Sequence, residues 1–267
     1  MCTGMDRSVE LPASVPGLRV TRATTTSLHT GMKDRYGIGR IDRGDTRWWG
    51  SGRVWRSTPG CVLMKQPGDV VRHLSHQGPT TFTAVTFPTH EVDRLGRIAT
   101  TPQLEPDDPR GATFHRLLDA ASRGSDTLTL DVALTEALNA LVSLRAAPAA
   151  EYSRPVKRAM ECLRTRLGDS ITLDDLADQA GLDKFHLCRA FRAQIGMPPH
   201  AYLTHLRIAR AKELLESGLR ASEIAPCVGF CDQAQLTRHF RRLVGTTPAR
   251  YGKSANDARY RGVVRVS

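Results

Sequence analysis

The chain has 267 residues, 40% of them hydrophobic, and a formal net charge of +11 with a pI of about 9.8. This length and apolar content suit two ordinary domains with buried cores and exclude a disordered or low-complexity chain. The basic surplus lies mainly after residue 152 and favours a polyanionic partner, either nucleic acid or an anionic membrane. No stretch approaches the ~18 apolar residues that a membrane-spanning helix needs, and the N-terminus lacks the apolar core of a signal peptide. We therefore expect a cytoplasmic protein without a membrane partner.

The first half of the chain has the texture of a small antiparallel β-domain. Residues 1–17 are predicted to be a disordered leader. From Leu18 to about Pro88, short β-favouring runs are broken by glycine and proline, which is typical of a small barrel or sandwich. The predicted strands are Leu18–Ala23, Tyr36–Ile41, Trp48–Trp55, Cys61–Met64, Asp69–Arg72 and Thr81–Phe87. The Gly-Ser-Gly segment at 50–52 lies between tryptophans and favours a hairpin turn.

Helical periodicity replaces this pattern after Pro109. Ala112–Ser122 and Leu130–Leu144 are predicted helices, and the second carries an apolar stripe at helical spacing. The stripe residues are Leu134, Leu138, Leu141 and Val142. The stripe either docks on the β-domain or pairs with its copy in a second subunit. We assign this domain to residues 18–146 and an alanine-rich linker to residues 147–153.

The second half of the chain contains one pattern written twice. Leu176–Tyr202 reappears about fifty residues later as Ile224–Tyr251, and a period of this size suggests two copies of one supersecondary unit. Each copy reads as a short helix, a glycine-containing turn and a basic second helix, which is the pattern of a helix-turn-helix. The second helix of such a unit lies in the DNA major groove. Two units in one chain therefore predict a monomer that reads two adjacent stretches of groove.

Residues 154–251 are predicted to form seven helices. The expected helix-starting residues are Thr172, Asp183, Ser222 and Asp232, because their side chains can accept hydrogen bonds from free backbone N–H groups. Thr172-Leu-Asp-Asp175 also resembles a capping box, with Asp in place of Glu. Pro198-Pro199 open a long fourth helix that reaches about Ser217, and Pro248 opens a short seventh helix.

The apolar residues of the two predicted recognition helices identify the face that is left for DNA. Leu187 and Phe191 face inward in the first helix, and Leu236 and Phe240 do so in the second. Arginine can bond guanine O6 and N7 together, glutamine can bond adenine N6 and N7, and apolar side chains contact the thymine methyl group. A solvated basic face is the alternative for a single helix. Two copies with the same spacing favour DNA recognition.

Several stretches of this half resemble the AraC/XylS family of bacterial transcription regulators. The resemblance covers about Arg154–Gly252 and is carried by LADQAGLDKFHLCRAFR, GMPPHAYL, RIARAKELL and IAPCVGFCDQAQLTRHFRRLVGTTPARY. It implies two helix-turn-helix units joined by a rigid helix and placed in successive major grooves on one DNA face. By motif position, the implied base-reading residues are Phe185, Cys188, Arg189, Gln233, Ala234, Gln235 and Arg238. The flanking residues expected at DNA phosphates are Lys184, His186, Arg192, Arg241 and Arg242.

The chain departs from the family pattern at two positions. Cys188 stands where such proteins often have a polar residue, so we expect poorer direct readout by the first unit. Pro226 lies inside the predicted fifth helix, where it removes one backbone hydrogen bond and is expected to kink the helix.

The N-terminal half resembles the cupin-like sensory barrel that commonly precedes this DNA-binding domain. Two Pro-Gly turns, at 59–60 and 67–68, bracket one predicted strand and carry the resemblance. A ligand pocket combines apolar walls with a few placed polar groups, and the candidate lining residues are Trp48, Trp49, Arg53, Trp55 and Arg72. The alternative is that the tryptophans belong to the core. A cupin enzyme binds its metal through a His-x-His pair with a further Glu and His, whereas the stretch around the two Pro-Gly turns and just after them offers only His73 and His76, three apart on a predicted loop.

The sequence thus predicts an α+β protein, with a small antiparallel cupin-like β-barrel and helices followed by an all-α domain of two helix-turn-helix units joined by a long helix. The all-α domain is placed at residues 154–254 and a basic tail at residues 255–267. We expect a transcription regulator that is not an enzyme, needs no cofactor or metal, and acts as an activator, as most of the family does. The expected partners are promoter DNA, RNA polymerase, a small-molecule effector and a second copy of the chain.

Two alternatives remain open at this point. One is a thiol- or metal-responsive regulator that uses Cys188, Cys227 and Cys231. The other is a metal-cupin enzyme fused to a DNA-binding module. We favour buried, inert thiols, because a structural zinc site needs two short-spaced Cys or His pairs and only Cys227 and Cys231 form one.

Overall fold

The structure is a computed structural model that describes residues 7–11, 13, 15, 17–87, 102–144 and 152–254. The described residues divide into two compact units, one before residue 145 and one from Tyr152 onwards. Among the helices in these ranges, none has the length and apolar composition needed to cross a bilayer.

The N-terminal unit is built on one eight-stranded sheet. Its strands are β1 (Arg7–Leu11), β2 (Arg19–Thr25), β3 (Thr30–Met32), β4 (Tyr36–Gly50), β5 (Arg53–Ser57), β6 (Val62–Lys65), β7 (Val70–Phe87) and β8 (Gln103–Leu104). The order is β1-β2-β7-β4-β6-β8, with β3 added to β7 and β5 added to β4. Every pairing is antiparallel, as the sequence predicts.

The long strands β4 and β7 form the spine of this sheet. Tyr36–Ile41 and Trp48–Trp55 were expected to be separate strands, but the first of these and Trp48 belong to one strand, β4. In the same way, Asp69–Arg72 and Thr81–Phe87 mark the two ends of β7. The pairing of β4 with β7 shifts register at three places, the last between Arg47 and Trp48. Such bulges bend a strand without ending it, which explains why the polar middle segments did not interrupt the strands.

Two further expectations concern the hairpin and the leader. The hairpin between the tryptophans is confirmed, with Trp48 opposite Trp55 and positive φ at Ser51 (53°) and Gly52 (80°), as a two-residue turn of this hand requires. The disordered leader over residues 1–17 is wrong for Arg7–Leu11, which form β1 and pair with β2. An edge strand presents unpaired backbone N–H and C=O groups to which a further segment can pair. β2 therefore orders Arg7–Leu11 through backbone pairing, which the composition of the segment does not reveal.

Two helices pack on the sheet and close the core of the N-terminal unit. They are α1 (Ala112–Arg123) and α2 (Thr127–Ser143). Their buried side chains, among them Phe114 and Leu118, join sheet residues such as Ile38 and Phe87 in one cluster. The predicted apolar stripe of α2 packs against this cluster, so it docks on its own domain.

The C-terminal unit consists of the seven predicted helices. They are α3 (Arg154–Thr165), α4 (Leu173–Ala180), α5 (Lys184–Ile195), α6 (Pro199–Glu216), α7 (Ala221–Cys227), α8 (Gln233–Val244) and α9 (248–254). Ser222 does not cap α7 as expected. Arg220 is the N-cap residue, and its backbone N–H donates to Glu223 Oε2 at 2.9 Å. Pro226 therefore lies in the last turn of a seven-residue helix, beyond the first turn that tolerates proline.

Candidate nucleic-acid interface

The first helix-turn-helix consists of α4, a turn at Gly181 and α5. Thr172 and Asp175 close the predicted capping box, with side-chain-to-backbone bonds of 3.1 and 3.0 Å. Gly181 has a φ of 69°, a left-handed conformation that glycine adopts without strain. Asp183 then caps α5 by accepting from the backbone N–H of Phe185 and of the next residue. Local sequence therefore determines where the recognition helix begins.

The outward face of α5 is only partly polar. Leu187 and Phe191 are fully buried, whereas Phe185 is 72% exposed. Cys188 is half-buried and Arg189 is exposed. A large exposed aromatic ring at the start of a recognition helix can contact a thymine methyl group, and the arginine one turn later can reach a guanine.

The residues of α5 that are expected at phosphates lie at its exposed edges. Lys184 Nζ is 3.2 Å from Asp174 Oδ1, and His186 Nδ1 is 2.9 Å from Asp183 Oδ2. Exposed pairs of this kind contribute at most ~1 kcal/mol, so an approaching phosphate can replace the carboxylate. Arg192 is exposed on the same face.

The second helix-turn-helix repeats this construction with α7, a turn at Gly229 and α8. Gly229 has a φ of 80°, and Asp232 caps α8 by accepting from the N–H of Gln235 at 2.7 Å. The side-chain oxygen of Gln235 accepts from the N–H of Cys231 at 2.9 Å. That bond holds the oxygen towards the turn and leaves the amide NH2 as the group available to a base.

The exposed face of α8 is a shallow concavity of about 730 Å³. The concavity is lined by Gln233, Ala234, Thr237, Arg238 and Arg241. Thr237 is the member that the family resemblance did not assign. Its position four residues after Gln233 places it on the same helix face, and that spacing was visible in the sequence. Arg242 lies beside this face, where its Nη2 donates to His239 Nδ1 at 2.9 Å.

The two units share their internal packing as well as their sequence. Phe191 and Tyr202 meet edge to face with ring centroids 5.5 Å apart at 71°. Phe240 and Tyr251 do the same at 5.5 Å and 68°. All four aromatic side chains are buried, and edge-to-face contacts of this kind stabilise a core. The repeat in the sequence is therefore a repeat in three dimensions.

The cysteines of this unit differ from expectation. Cys227 and Cys231 are both exposed, so the prediction of buried thiols is wrong for them. The Cys227 thiol donates to the backbone oxygen of Glu223 at 3.1 Å. This bond directs the thiol towards the preceding turn of α7. Within the ranges that the structure describes, no group of three or more potential metal ligands comes together.

The candidate effector residues of the N-terminal unit lie on two different faces of the sheet. Trp48 and Trp55 are directly opposite and stacked, with ring centroids 5.8 Å apart, and the Arg53 guanidinium lies 3.6 Å from the Trp55 ring centre. Trp49 and Arg72 are also paired across strands. Because neighbouring residues of a strand point to opposite faces, Trp49 and its partner Arg72 lie on the face opposite to that of Trp48. The five residues therefore form one group of three and one group of two.

Three residues that were not among the five candidate effector residues join the Trp48 face. Lys65 Nζ lies 3.3 Å from the Trp48 ring centre, and the rings of His29 and His73 stack at 4.3 Å. His73 is opposite Trp48 in the sheet, on β7 and not on the expected loop. Burial, followed by the nearby charges of His29 and His76, lowers the pKa of His73 to about 3. Burial also lowers the pKa of the Lys65 amine to about 7 and lowers the pKa of His29. This face is therefore aromatic, with neutral imidazoles and a lysine amine that loses much of its charge near neutral pH.

Family comparisons match both units. A model of the helix-turn-helix domain matches residues 176–254, and a model of the AraC-like ligand-binding domain matches residues 16–138. Two exposed basic recognition helices and a ligand-binding sheet domain define a DNA-binding transcription regulator.

Curated relatives agree with this class. An uncharacterised helix-turn-helix regulator, YbfI of Bacillus subtilis (strain 168), is 42% identical over 32% of this chain and 31% of its own length. The transcriptional activator AarP of Providencia stuartii is 36% identical over 32% of this chain and 64% of its own. The probable transcription factor PqrA of Proteus vulgaris is 33% identical over 36% of this chain and 81% of its own. The chain spans about a third of the length of the first of these relatives. By its similarity to PqrA, most of whose length it covers, the chain belongs to the AraC/XylS family of transcriptional regulators.

Proposed function

We propose that this regulator is an effector-responsive activator whose helices α5 and α8 read two successive major grooves of promoter DNA. The duplicated geometry of the two helix-turn-helix units carries the proposal, since each unit presents one recognition helix with an exposed arginine at the same place. DNA binding, RNA polymerase as a partner and a cytoplasmic location follow from such a role. The proposal that this protein activates transcription is supported by its similarity to AarP, which is named as an activator.

The base contacts are divided unequally between the two helices. In α8, Gln233 can pair with an adenine edge, Arg238 can pair with a guanine edge, and Ala234 suits a thymine methyl group. The amide NH2 of Gln235, whose oxygen is held by the Cys231 N–H, can donate to a base acceptor such as a purine N7. In α5, only Arg189 is a strong base reader, with Phe185 and Cys188 as apolar neighbours. We infer that the second unit supplies more of the hydrogen-bonded sequence readout and that the first relies on apolar contact and shape. The exposed phosphate-facing residues are Lys184, His186, Arg192, Arg241 and Arg242.

The test uses the full chain and a library of randomised duplexes. The wild-type protein should enrich one sequence with two short conserved segments, and it should bind that duplex far more tightly than a shuffled duplex of the same composition. The logarithm of affinity should fall with the logarithm of salt concentration, by about 0.9 per phosphate contact. A matched control is Arg22→Ala, which removes an exposed charge from β2 and should change neither property. Equal binding to all duplexes would contradict the proposal.

We propose further that the effector contacts the sheet face that carries Arg53 and Trp55. On this face the Trp48 ring is 2% exposed, so Trp48 belongs to the core, as the alternative expectation for the tryptophans had it, and supports the Trp55 ring by stacking. Aromatic walls with few charged groups are typical of small-molecule sites, and Lys65 and His73 add polar atoms to the same face. Trp49 and Arg72 on the other face are not part of this proposed site.

Two exposed arginines, each beside a tryptophan, provide the test of that assignment. A metabolite that raises the melting temperature of the wild-type chain should do so by binding the folded state. Arg53→Ala should reduce this shift, whereas Arg72→Ala, on the opposite face, should leave it unchanged. If Arg72→Ala abolishes the shift and Arg53→Ala does not, the effector binds elsewhere.

A further inference from the structure

The loop between α3 and α4 belongs to the first helix-turn-helix region in sequence but packs against the second. Leu167 contacts the apolar core formed by α6, α7 and α8. Gly168 and Gly229 approach so closely that a Cβ atom at Gly229 would lie 2.9 Å from the Gly168 oxygen. The two helix-turn-helix units are therefore joined by this loop as well as by the connecting helix α6.

Arg207, in the middle of α6, ties the loop to that helix. Its Nε donates to the Leu167 oxygen at 3.0 Å and its Nη2 to the Asp169 oxygen at 2.7 Å. The side chain is half-buried, and two bonds from one planar guanidinium fix both its position and its orientation. The same group fills the space beside Gly229, where a Cβ atom would lie 2.6 Å from Nη2.

A stack of three side chains continues from Arg207 to the second recognition helix. The guanidinium carbon lies 5.8 Å from the centre of the Phe230 ring, and the Phe230 and His239 rings stack at 5.4 Å and 20°. His239 belongs to α8. Burial, followed by the charges of Arg242 and Arg238, lowers the pKa of His239, so its neutral ring can accept the bond from Arg242.

The first unit lacks this stack at the matching positions. Leu182 stands where the repeat places Phe230, and Ala190 stands where it places His239. The first unit nevertheless forms its own capped recognition helix and aromatic pair. The stack is therefore not needed to build a helix-turn-helix, and its distinctive feature is that it connects α8 to a loop of the other unit.

We propose that Arg207 is a positioning residue that holds α8 at a fixed distance and angle from α5, and that it thereby restricts the protein to duplexes whose two half-sites have one separation. This inference rests on the proposed reading of two grooves. One added base pair moves a half-site by ~3.4 Å and rotates it by roughly 35° about the DNA axis. A rigid pair of recognition helices cannot follow that change without losing the contacts of one unit.

The experiment measures binding of the full chain to the duplex that the wild type selects, and to versions with one base pair added or removed between the half-sites. The wild type should bind the altered duplexes roughly tenfold more weakly or worse, because bidentate base contacts of one helix are lost. Arg207→Met keeps the apolar stem but removes both bonds, and it should reduce this difference to about threefold or less. Arg207→Lys retains the charge and should restore only part of the selectivity.

Two further variants and one control complete the design. Phe230→Leu and His239→Ala place the first unit's residues in the second and should also relax spacing selectivity, so the test survives if Arg207→Met fails to fold by circular dichroism. Arg210→Met removes an exposed arginine from the same helix and should leave selectivity unchanged, because the arginine's ion pair within the described residues is with Glu213 on the same helix.

The outcomes separate the two proposals. A wild type that selects no sequence contradicts the proposed function. The role of Arg207 alone is overturned by a different result. In that result the wild type selects a sequence, but the folded variants keep its spacing selectivity or weaken binding at every spacing by the same factor; the variants concerned are Arg207→Met, Phe230→Leu and His239→Ala.

Discussion

Substituting the two arginines at matching positions of the repeat distinguishes the contribution of each recognition helix to DNA binding. Arg189 in α5 and Arg238 in α8 occupy matching places in the repeat, and both are exposed. Neither forms a hydrogen bond or ion pair with another residue in the described part of the chain. Arg189→Ala and Arg238→Ala should therefore change the free energy of unfolding by no more than ~0.5 kcal/mol. Any larger loss of DNA binding then reports on the interface and not on the fold.

The size of the DNA effect follows from the contact that each arginine makes. A bidentate bond to guanine contributes ~1–3 kcal/mol of discrimination, which is roughly a 5- to 150-fold change in affinity. Arg238→Ala leaves Gln233 and Gln235 in place, so its half-site should lose only one base of readout. Arg189→Ala removes the one strong hydrogen-bonding base reader of α5, so its half-site should retain little preference.

The assay is selection from a randomised duplex library by each variant, with thermal melting as the control for folding. Each substitution should relax different base pairs, about one helical turn (~10 bp) apart. Lys184→Ala and Arg242→Ala should weaken binding to all sequences alike, as loss of a phosphate contact does. The two-groove account is refuted if Arg189→Ala and Arg238→Ala relax the same base pairs, or if neither alters preference.

Three other predictions concern stability. Asp232→Ala removes the N-cap of α8 and should lower the free energy of unfolding by ~1 kcal/mol in urea denaturation. Asp232→Ser should retain most of this stability, because serine is also a good N-cap residue. Equal free energies of unfolding for the two variants would show that the cap contributes little. Phe240→Ala should leave a cavity beside Tyr251 and cost ~3–5 kcal/mol, measured in the same way, and a loss below 1 kcal/mol would mean that the aromatic pair is not a core contact. His73 has a pKa near 3 in the folded chain against 6.5 unfolded, so the unfolded state binds more protons between these values. The free energy of unfolding should therefore fall as the pH drops from about 6.5 towards 3, and His73→Leu should flatten this part of the pH profile.

The C-terminal unit was predictable because its signals are local. The caps at Thr172, Asp183 and Asp232, the left-handed turn glycines and the inward apolar spacing all act within one or two helical turns. The exception is α7, where Ser222 was the better cap by residue type. Glu223 bonds to the backbone N–H of Arg220 and moves the helix start to that residue, an interaction that depends on the backbone and not on the preferred cap side chain.

The sheet face was less predictable because it depends on distant pairings. The register shift between Arg47 and Trp48 determines which tryptophan points to which face, and composition carries no sign of it. Lys65 reaches Trp48 from another strand, and His73 reaches it from β7. The link through Arg207 is of the same kind, since it joins three segments that are far apart in the chain.

The most direct test of the account is a footprint of the full chain on the duplex that it selects. We expect protection of two major-groove segments on one face of the DNA, with centres about one helical turn (~10 bp) apart. Arg189→Ala should weaken protection of one segment and Arg238→Ala that of the other. Protection of a single groove, or protection that does not depend on the sequence of the duplex, would contradict the account.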